Sequence, residues 1–530
     1  MAIGPRSRSL RQLTRLFKIA RDADATGMSS KEAMERAREA ERKAVISRRQ
    51  FMGGAAAATA LLMTRKAFGT PQQNLDVGIV GAGLAGLQCA FNLSKAGVAA
   101  SIYEANSRVG GRQFSLRGLV PGQIAEKGGE LIDTPHKTMQ GWIQTLKLTR
   151  EDITRAPGEI VYFFDGQRIS EDTIIDEYRD LVAALNADVR ASTGAPTADL
   201  NNAFDRQVDN MTLADYLTSR GCGHWARKAI DEAYVAEYGR EISEQSPFNF
   251  LYFINSDRRS KFTPFGNFSD ERYHVVEGND RIANGIAGLL PKQPEFGMRL
   301  EAARKLSSGR IELTFRQGNK SVTRTHDKVV FAIPFSVLRT VSLDASLGLP
   351  AWKTLAINKL GYGDNAKMML GIKGPVWAET GCDGASYSDL ANHQTTWETS
   401  PTTATTEHAI LTDYSGGVRG KNLDPSKVQS EADKFLTDCD KVMPGVKAAA
   451  MKSSQGYVAH MEHWPSNPLT RGSYTCYTPG QFTTIADNES KPVGNLYFAG
   501  EHANSFYIWQ GFMEGALLSG ITAASQVLGG

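Results

Sequence analysis

Three glycines and one acid at fixed spacing form the most chemically specific pattern in the chain. In "LDVGIVGAGLAGLQCAFNLSKAGVAASIYEAN" an apolar run, Val77 to Val80, leads into Gly81, Gly83 and Gly86. An apolar-periodic helix follows, and a second strand-like run closes on Glu104. The first glycine permits a tight turn, the second lets backbone approach a pyrophosphate, and the third lets helix lie on strand. The helix N-terminus offers free N–H groups and the positive end of its dipole to that pyrophosphate. Glu104 is placed to accept hydrogen bonds from ribose hydroxyls. A glycine-rich turn alone would be structural; strand, turn, helix, strand and terminal acid together predict a dinucleotide site, with NAD and FAD both open.

A second stretch, "EKGGELIDTPH", sets Gly128 and Gly129 among Glu126, Glu130 and Asp133. Bare backbone suits the close approach of a flat ligand. The acids have two readings. Either they face a cationic substrate, or they serve the fold, Glu130 tied to backbone N–H groups and Asp133 capping a helix that starts near Pro135. Lys367, in "GDNAKMMLGI", is either a solvated strand lysine, the usual state, or a functional cation. Trp397, Tyr474, Trp509 and Phe512 are core residues unless something gathers them at a site.

Further residues separate the cofactors. "SRVGGRQFS" supplies Gly110, Gly111 and Arg112, and "VGNLYFAGEHA" supplies Gly500 and Glu501 before "WQGFMEGALLSG"; between them lie "YHVVEGNDRIANGIAGLL" and "DKVVFAIPFSVLR". With these the chain resembles the flavin-containing amine oxidases, a family that includes monoamine, polyamine and L-amino-acid oxidases, from about residue 75 to the C-terminus. The resemblance implies an α/β fold. A doubly wound, Rossmann-like FAD-binding domain (75–135, 272–345 and 455–530) is interleaved with a mixed α+β substrate domain (136–271 and 346–454) carrying a helical insertion.

It also implies FAD contacts at Gly81, Ala82, Gly83, Gly86, Glu104, Ala105, Gly111, Arg112 and Ala303. Gly128, Gly129, Glu130, Leu131, Gly500, Glu501, Phe512 and Met513 complete that set, with Met513 at the pyrimidine edge. A helix beginning near Phe512 would aim its N–H groups where negative charge gathers on a reduced flavin. Ser473 stands where monoamine oxidases carry the cysteine that attaches the flavin, so the FAD is expected to be non-covalent. Cys476, three residues on, would face the other side of a strand.

The chemistry implied is transfer of a hydride equivalent from an amine-bearing carbon to the flavin, with release of imine or aldehyde, ammonia and H2O2. The amine must be neutral to react, and desolvation in the pocket can make it so. Lys367 matches the family lysine that holds a water. Tyr474 and Phe512 match paired rings before the flavin, and Trp397, Trp509 and Gly511 extend the pocket. In L-amino-acid oxidases an arginine near "GGEL" clamps the substrate carboxylate; this chain has Leu131 there. Asp133 matches an acidic tunnel position of polyamine oxidases, so the resemblance offers Asp133, and Glu130 beside it, as receivers of a distal cation, with the fold-serving reading of both still open. A primary amine, diamine or polyamine is therefore the expected substrate, with O2 as acceptor. A basic L-amino-acid oxidase, an amine dehydrogenase serving an electron-carrier protein and a non-catalytic flavoprotein are the alternatives.

The elements that must position these residues occupy most of the 530-residue chain, which is 41% hydrophobic and 22% charged, an ordinary globular composition for two domains. A formal net charge of +3 gives no reason to expect a nucleic-acid partner. Five scattered cysteines, Cys89, Cys222, Cys382, Cys439 and Cys476, suggest neither a metal cage nor a disulfide framework. Residues 1–70 form a basic tail with two helix-like stretches. It then carries "SRRQFMGGAAAATALLM", in which Arg48 and Arg49 precede an apolar run too short to span a bilayer easily. The pattern predicts a twin-arginine signal, export of the folded protein and a periplasmic or secreted location; an interfacial helix in a cytoplasmic protein is the other reading. Assembly is left open, a homodimer included.

Overall fold

The computed structural model describes residues 8–39, 75–153, 158–254 and 272–529. At its centre five strands lie in the order Leu496–Phe498, Lys328–Phe331, Val77–Val80, Ser101–Glu104, Glu295–Phe296. Every adjacent pair is parallel. Val77–Val80 is buried at each position. A strand covered on both faces must be, and so it reads as an unbroken apolar run. On one face lie the helices Leu84–Lys95 and Met513–Leu528, and Ile79, Val330, Leu87, Ile282 and Leu517 share a buried cluster there. The other face turns to an antiparallel sheet, Arg299–Lys305, Ile311–Gln317 and Lys320–His326. Val80, Tyr103, Phe315 and Val329 meet in that second cluster.

The fingerprint folds as its residue types require. Gly83 is extended ahead of the helix that starts at Leu84, and no side chain caps it. The first N–H groups of that helix therefore remain open to a ligand. A Cβ on Gly86 would collide with the carbonyl oxygen of Gly81, whereas a Cβ on Gly83 would meet nothing within 4 Å. Gly86 thus serves the contact between helix and turn, and Gly83 the space in front of it.

A seven-stranded sheet forms the second body, in the order Ala459–His463, Ala366–Ile372, Ala409–Ser415, His393–Glu398, Cys382–Leu390, Glu159–Phe164, Gln167–Ile169. Ala366–Ile372 and Ala409–Ser415 pair antiparallel, with Lys367 opposite Tyr414. One expected border shifts, and one strand stands where helix was expected. Ala459–His463, expected within the cofactor-binding segment, completes this sheet beside Ala366–Ile372. Glu159–Phe164, expected within a helical insertion, joins it parallel to Cys382–Leu390. Short strands announce themselves by local pattern, but the sheet they join is fixed by long-range pairing.

The described remainder of the insertion is mainly helical, with Glu171–Ala191, His224–Tyr238 and Pro247–Ile254 among its helices. The basic tail contributes more than a surface. Helix Arg8–Thr26 and a second helix, 30–39, lie on the insertion, with Leu13, Leu16, Phe17, Ile19, Ala20 and Ala23 buried. The Arg48-Arg49 pair and the apolar run after it lie outside the described residues. Among the described residues no helix is long and apolar enough to cross a membrane.

The two glycines give opposite expectations for the same substitution. Gly86→Ala should lower the free energy of unfolding by about 1–3 kcal/mol, the usual cost of overpacking, whereas Gly83→Ala should leave it unchanged and block the cavity in front of the helix. Urea midpoints of the two variants, compared with the native protein, check this.

Candidate active site

A cavity of about 630 Å³ opens where the central strands end, lined by Gly81 and Gly83, by Glu104 and Ala105, and by Gly500 and Glu501. This is where open α/β sheets hold ligands. Both oxygens of Glu104 accept backbone N–H groups, from Ala82 at 2.7 Å and Asn106 at 2.7 Å. Those bonds fix the carboxylate and leave its remaining lone pairs for hydroxyl donors. Farther along, Gly111 and Arg112 line the wall. The Arg112 guanidinium donates to Glu501 at 2.9 Å and to the Ser473 carbonyl at 2.6 Å, and Thr475 Oγ1 donates to the other Glu501 oxygen at 3.0 Å.

The stretch "EKGGELID" enters the same cavity with Gly128, Gly129, Glu130 and Leu131 in its lining. Its glycines are required by their protein neighbours as well as by any ligand. A Cβ on Gly128 would strike the carbonyl oxygen of Arg112, and one on Gly129 would stand 2.9 Å from Met513 Sδ. Glu130 is held between two donors: Lys367 Nζ at 2.6 Å on Oε2 and the Trp397 indole N–H at 3.0 Å on Oε1. Lys367 also donates to the carbonyls of Gly128 at 2.9 Å and Glu126 at 3.3 Å, so its three N–H groups have three acceptors. Both side chains are buried. Glu130 is thus an interior acid, but its partners are a lysine and an indole instead of the expected backbone N–H groups. Lys367 is neither solvated nor a lone cation.

Glu126, four residues earlier, ends the short strand Ile124–Glu126. Burial pushes its carboxyl up to about 8, against the N–H of Asn279 and the hydroxyl of Ser115, which pull it down. Near neutral pH it is largely protonated, so Glu130 is the carboxylate that balances Lys367.

Aromatic rings close this part of the cavity. Trp397, Tyr414, Tyr474 and Phe512 line it beside Gly511, Met513 and Leu131. Tyr474 donates to the Glu237 carbonyl at 2.5 Å, which leaves the Tyr414 hydroxyl as donor in the 2.7 Å contact between the two tyrosines. The rings of Trp397 and Tyr414 lie 5.4 Å apart, and Lys367 Nζ stands 5.4 and 5.7 Å from their centroids. Tyr414 is absent from the residues expected at the site. Its signal was the strand "AILTDYSGG", but only the register that sets it opposite Lys367 brings it to the wall. Trp464 is a second addition; it lines the cavity and donates its indole N–H to the Lys127 carbonyl at 2.9 Å.

Five expected residues lie elsewhere than in the lining. Asp133 is fully buried outside it, its Oδ2 3.1 Å from His136 Nε2, while its own N–H donates to His136 Nδ1 at 3.0 Å. The following helix, Lys137–Thr145, has His136 at its N-cap, and its first N–H groups are met from elsewhere. The carboxylate of Glu514 accepts the N–H groups of Thr138 at 2.9 Å and Met139 at 2.8 Å. Trp509 stands behind the wall, its ring 4.5 Å from that of His136 and 5.3 Å from that of Phe512. Ala303 points into the core, because an irregularity between Leu300 and Ala302 changes the alternation; Leu300 and Glu301 line the cavity instead. Ala82 and Gly86 act from behind, through the Glu104 bond and the close turn. Ser473 lines the cavity and Cys476 is buried away from it, and all five cysteines are free thiols.

Removing one partner of the buried pair strands the other. Lys367→Met should cost about 3–5 kcal/mol, and the double variant Lys367→Met with Glu130→Leu should recover most of that loss, since replacing a whole buried pair is often neutral. Urea unfolding of both variants and of Glu130→Leu measures the coupling.

The family of flavin containing amine oxidoreductases matches residues 84–528. The L-amino-acid oxidase of Vipera ammodytes ammodytes is 22% identical over 464 residues, covering 85% of this chain and 92% of that protein. Among solved structures, cyclohexylamine oxidase from Brevibacterium oxydans IH-35A superposes with a TM-score of 0.72 at 21% identity, covering 86% of this chain and 99% of that one. Putrescine oxidase bound to putrescine gives 0.70 at 17% identity, with the same coverage. FAD suits the residues present: uncapped N–H groups at Leu84 for phosphate, the fixed Glu104 carboxylate for hydroxyls, and Gly128 and Gly129 where backbone faces the cavity. The chain belongs to the flavin-containing amine oxidoreductases and is an enzyme of that family that uses FAD.

Proposed function

We propose that the enzyme oxidises a primary monoamine with an apolar body to the imine, with O2 as acceptor, the imine then hydrolysing to aldehyde and ammonia. The bound flavin supplies the two-electron acceptor. The protein's part is to present the amine neutral, oriented and shielded from water. Trp397, Tyr414, Tyr474 and Phe512 do the shielding, since large aromatic rings exclude water and limit the orientations open to the substrate.

The observation that carries this reading is the Lys367–Glu130–Trp397 arrangement. It engages Glu130 and the Trp397 indole with each other and with Lys367. Glu130 is neutralised by Lys367, and the indole N–H that could have met a substrate carboxylate is spent on Glu130. The other lining carboxylates are engaged too: Glu104 by N–H groups, Glu301 by Arg299 and Arg316, Glu501 by Arg112. A distal ammonium would therefore enter an apolar wall without a counter-charge, which is costly. A substrate carboxylate would meet Leu131. This argues against the diamine and polyamine expectation as well as against the basic amino acid. Lys367, with its N–H groups occupied, is assigned to holding the 126–130 backbone in place. As part of the same proposal, Arg48 and Arg49 belong to a twin-arginine export signal that places the reaction in the periplasm or outside the cell.

A panel of alkyl and arylalkyl monoamines, diamines, and neutral, acidic and basic L-amino acids against the FAD-loaded enzyme tests the proposal. The expected outcome is flavin bleaching without air, peroxide release in air and an aldehyde product, all from monoamines. A 2-oxo acid as main product would establish an amino-acid oxidase instead. Bleaching without peroxide would point to a carrier-protein acceptor.

A further inference from the structure

Residues 8–39 precede the Arg48-Arg49 motif, in a stretch that signal processing would discard, yet they are built into the fold. Along helix Arg8–Thr26, Leu13, Leu16, Phe17, Ile19, Ala20 and Ala23 are each no more than 2% exposed. They share one buried cluster with Ile174, Tyr178 and Leu181 of helix Glu171–Ala191 and with Ala226 and Ile230 of helix His224–Tyr238. The rings of Phe17 and Tyr178 meet edge to face at 5.9 Å.

Polar contacts frame this stripe. Arg15 reaches Glu171 at 3.2 Å, and Arg38 reaches Glu159 at 3.0 Å and Glu171 at 3.6 Å. Arg179 donates to the Met28 carbonyl at 3.1 Å, and the Ser30 hydroxyl bonds Asp176. Basic residues of the tail thus meet the acidic first turn of helix Glu171–Ala191, whose carboxylates are themselves well placed at a helix N-terminus. Without residues 8–39 the apolar faces of two helices would be bared, a patch that soluble monomers rarely expose.

We propose that residues 8–39 are an intramolecular docking element that stays on helices Glu171–Ala191 and His224–Tyr238 when the chain is cut between residues 40 and 74. A processed enzyme would then be a two-piece complex and not a shortened single chain. This rests on the packing alone and holds whichever substrate the enzyme takes.

The test is to insert a site-specific protease sequence after residue 66 of the full chain, load the protein with FAD, cut it and apply it to gel filtration. The expected result is that both pieces elute together at the uncut size with the flavin absorbance, and part only in denaturant. Loss of the small piece from the cut native protein under these conditions, whatever the large piece then does, overturns the proposal. Two variants locate the contact. Phe17→Ala, which removes a ring without adding charge, should shorten the lifetime of the cut complex. Leu16→Asp with Phe17→Asp should release the small piece outright. Retention unaffected by both would refute the assigned surface.

Discussion

The buried ion pair between Lys367 and Glu130 is the interaction on which the site depends. It joins the two bodies of the molecule, since Lys367 belongs to the seven-stranded sheet and Glu130 to the segment running from the cofactor-binding body. Two buried charges are costly unless each is matched and fully hydrogen-bonded. Here the lysine spends its other N–H groups on the Gly128 and Glu126 carbonyls, and the carboxylate takes the Trp397 indole on its second oxygen. Asn279 adds bonds to the carbonyls of Gly129 at 3.0 Å and Glu130 at 2.6 Å. The backbone of "EKGGELID" is therefore fixed from several directions where it faces the cavity.

That network explains what the acids of the stretch are for. Read as a sequence, they suggest a cation-binding doorway; in the folded chain none is offered to solvent or substrate as a free carboxylate. Glu126 is held largely protonated by burial, Glu130 is paired, and Asp133 faces His136. His136 in turn sits against Trp509 and Phe512, so Asp133 supports the aromatic wall from behind. The polar groups of this stretch thus make their bonds within the protein, around the aromatic part of the cavity.

What was legible in the sequence was local. The turn at Gly81 to Gly86, Glu104, Gly500-Glu501 and the helix at Met513 each depend on residues near one another in the chain, and each lies at or beside the cavity. Long-range pairing was not legible. Tyr414 reaches the wall through strand register, Ala303 leaves it through an irregularity in the strand, and Glu514 accepts N–H groups of a helix that lies more than 360 residues earlier in sequence. The apolar stripe on residues 13–23 could be seen as helical periodicity, but its partner helices could not.

The central claim is that pairing with Lys367 leaves the pocket without a counter-charge for a second cation. Anaerobic titration of the FAD-loaded enzyme with hexylamine and with 1,6-diaminohexane, followed by bleaching of the flavin absorbance, tests it most directly. The account predicts that the monoamine acts at concentrations at least about tenfold lower, corresponding to about 1.4 kcal/mol for an uncompensated ammonium. Equal or stronger action by the diamine would contradict it.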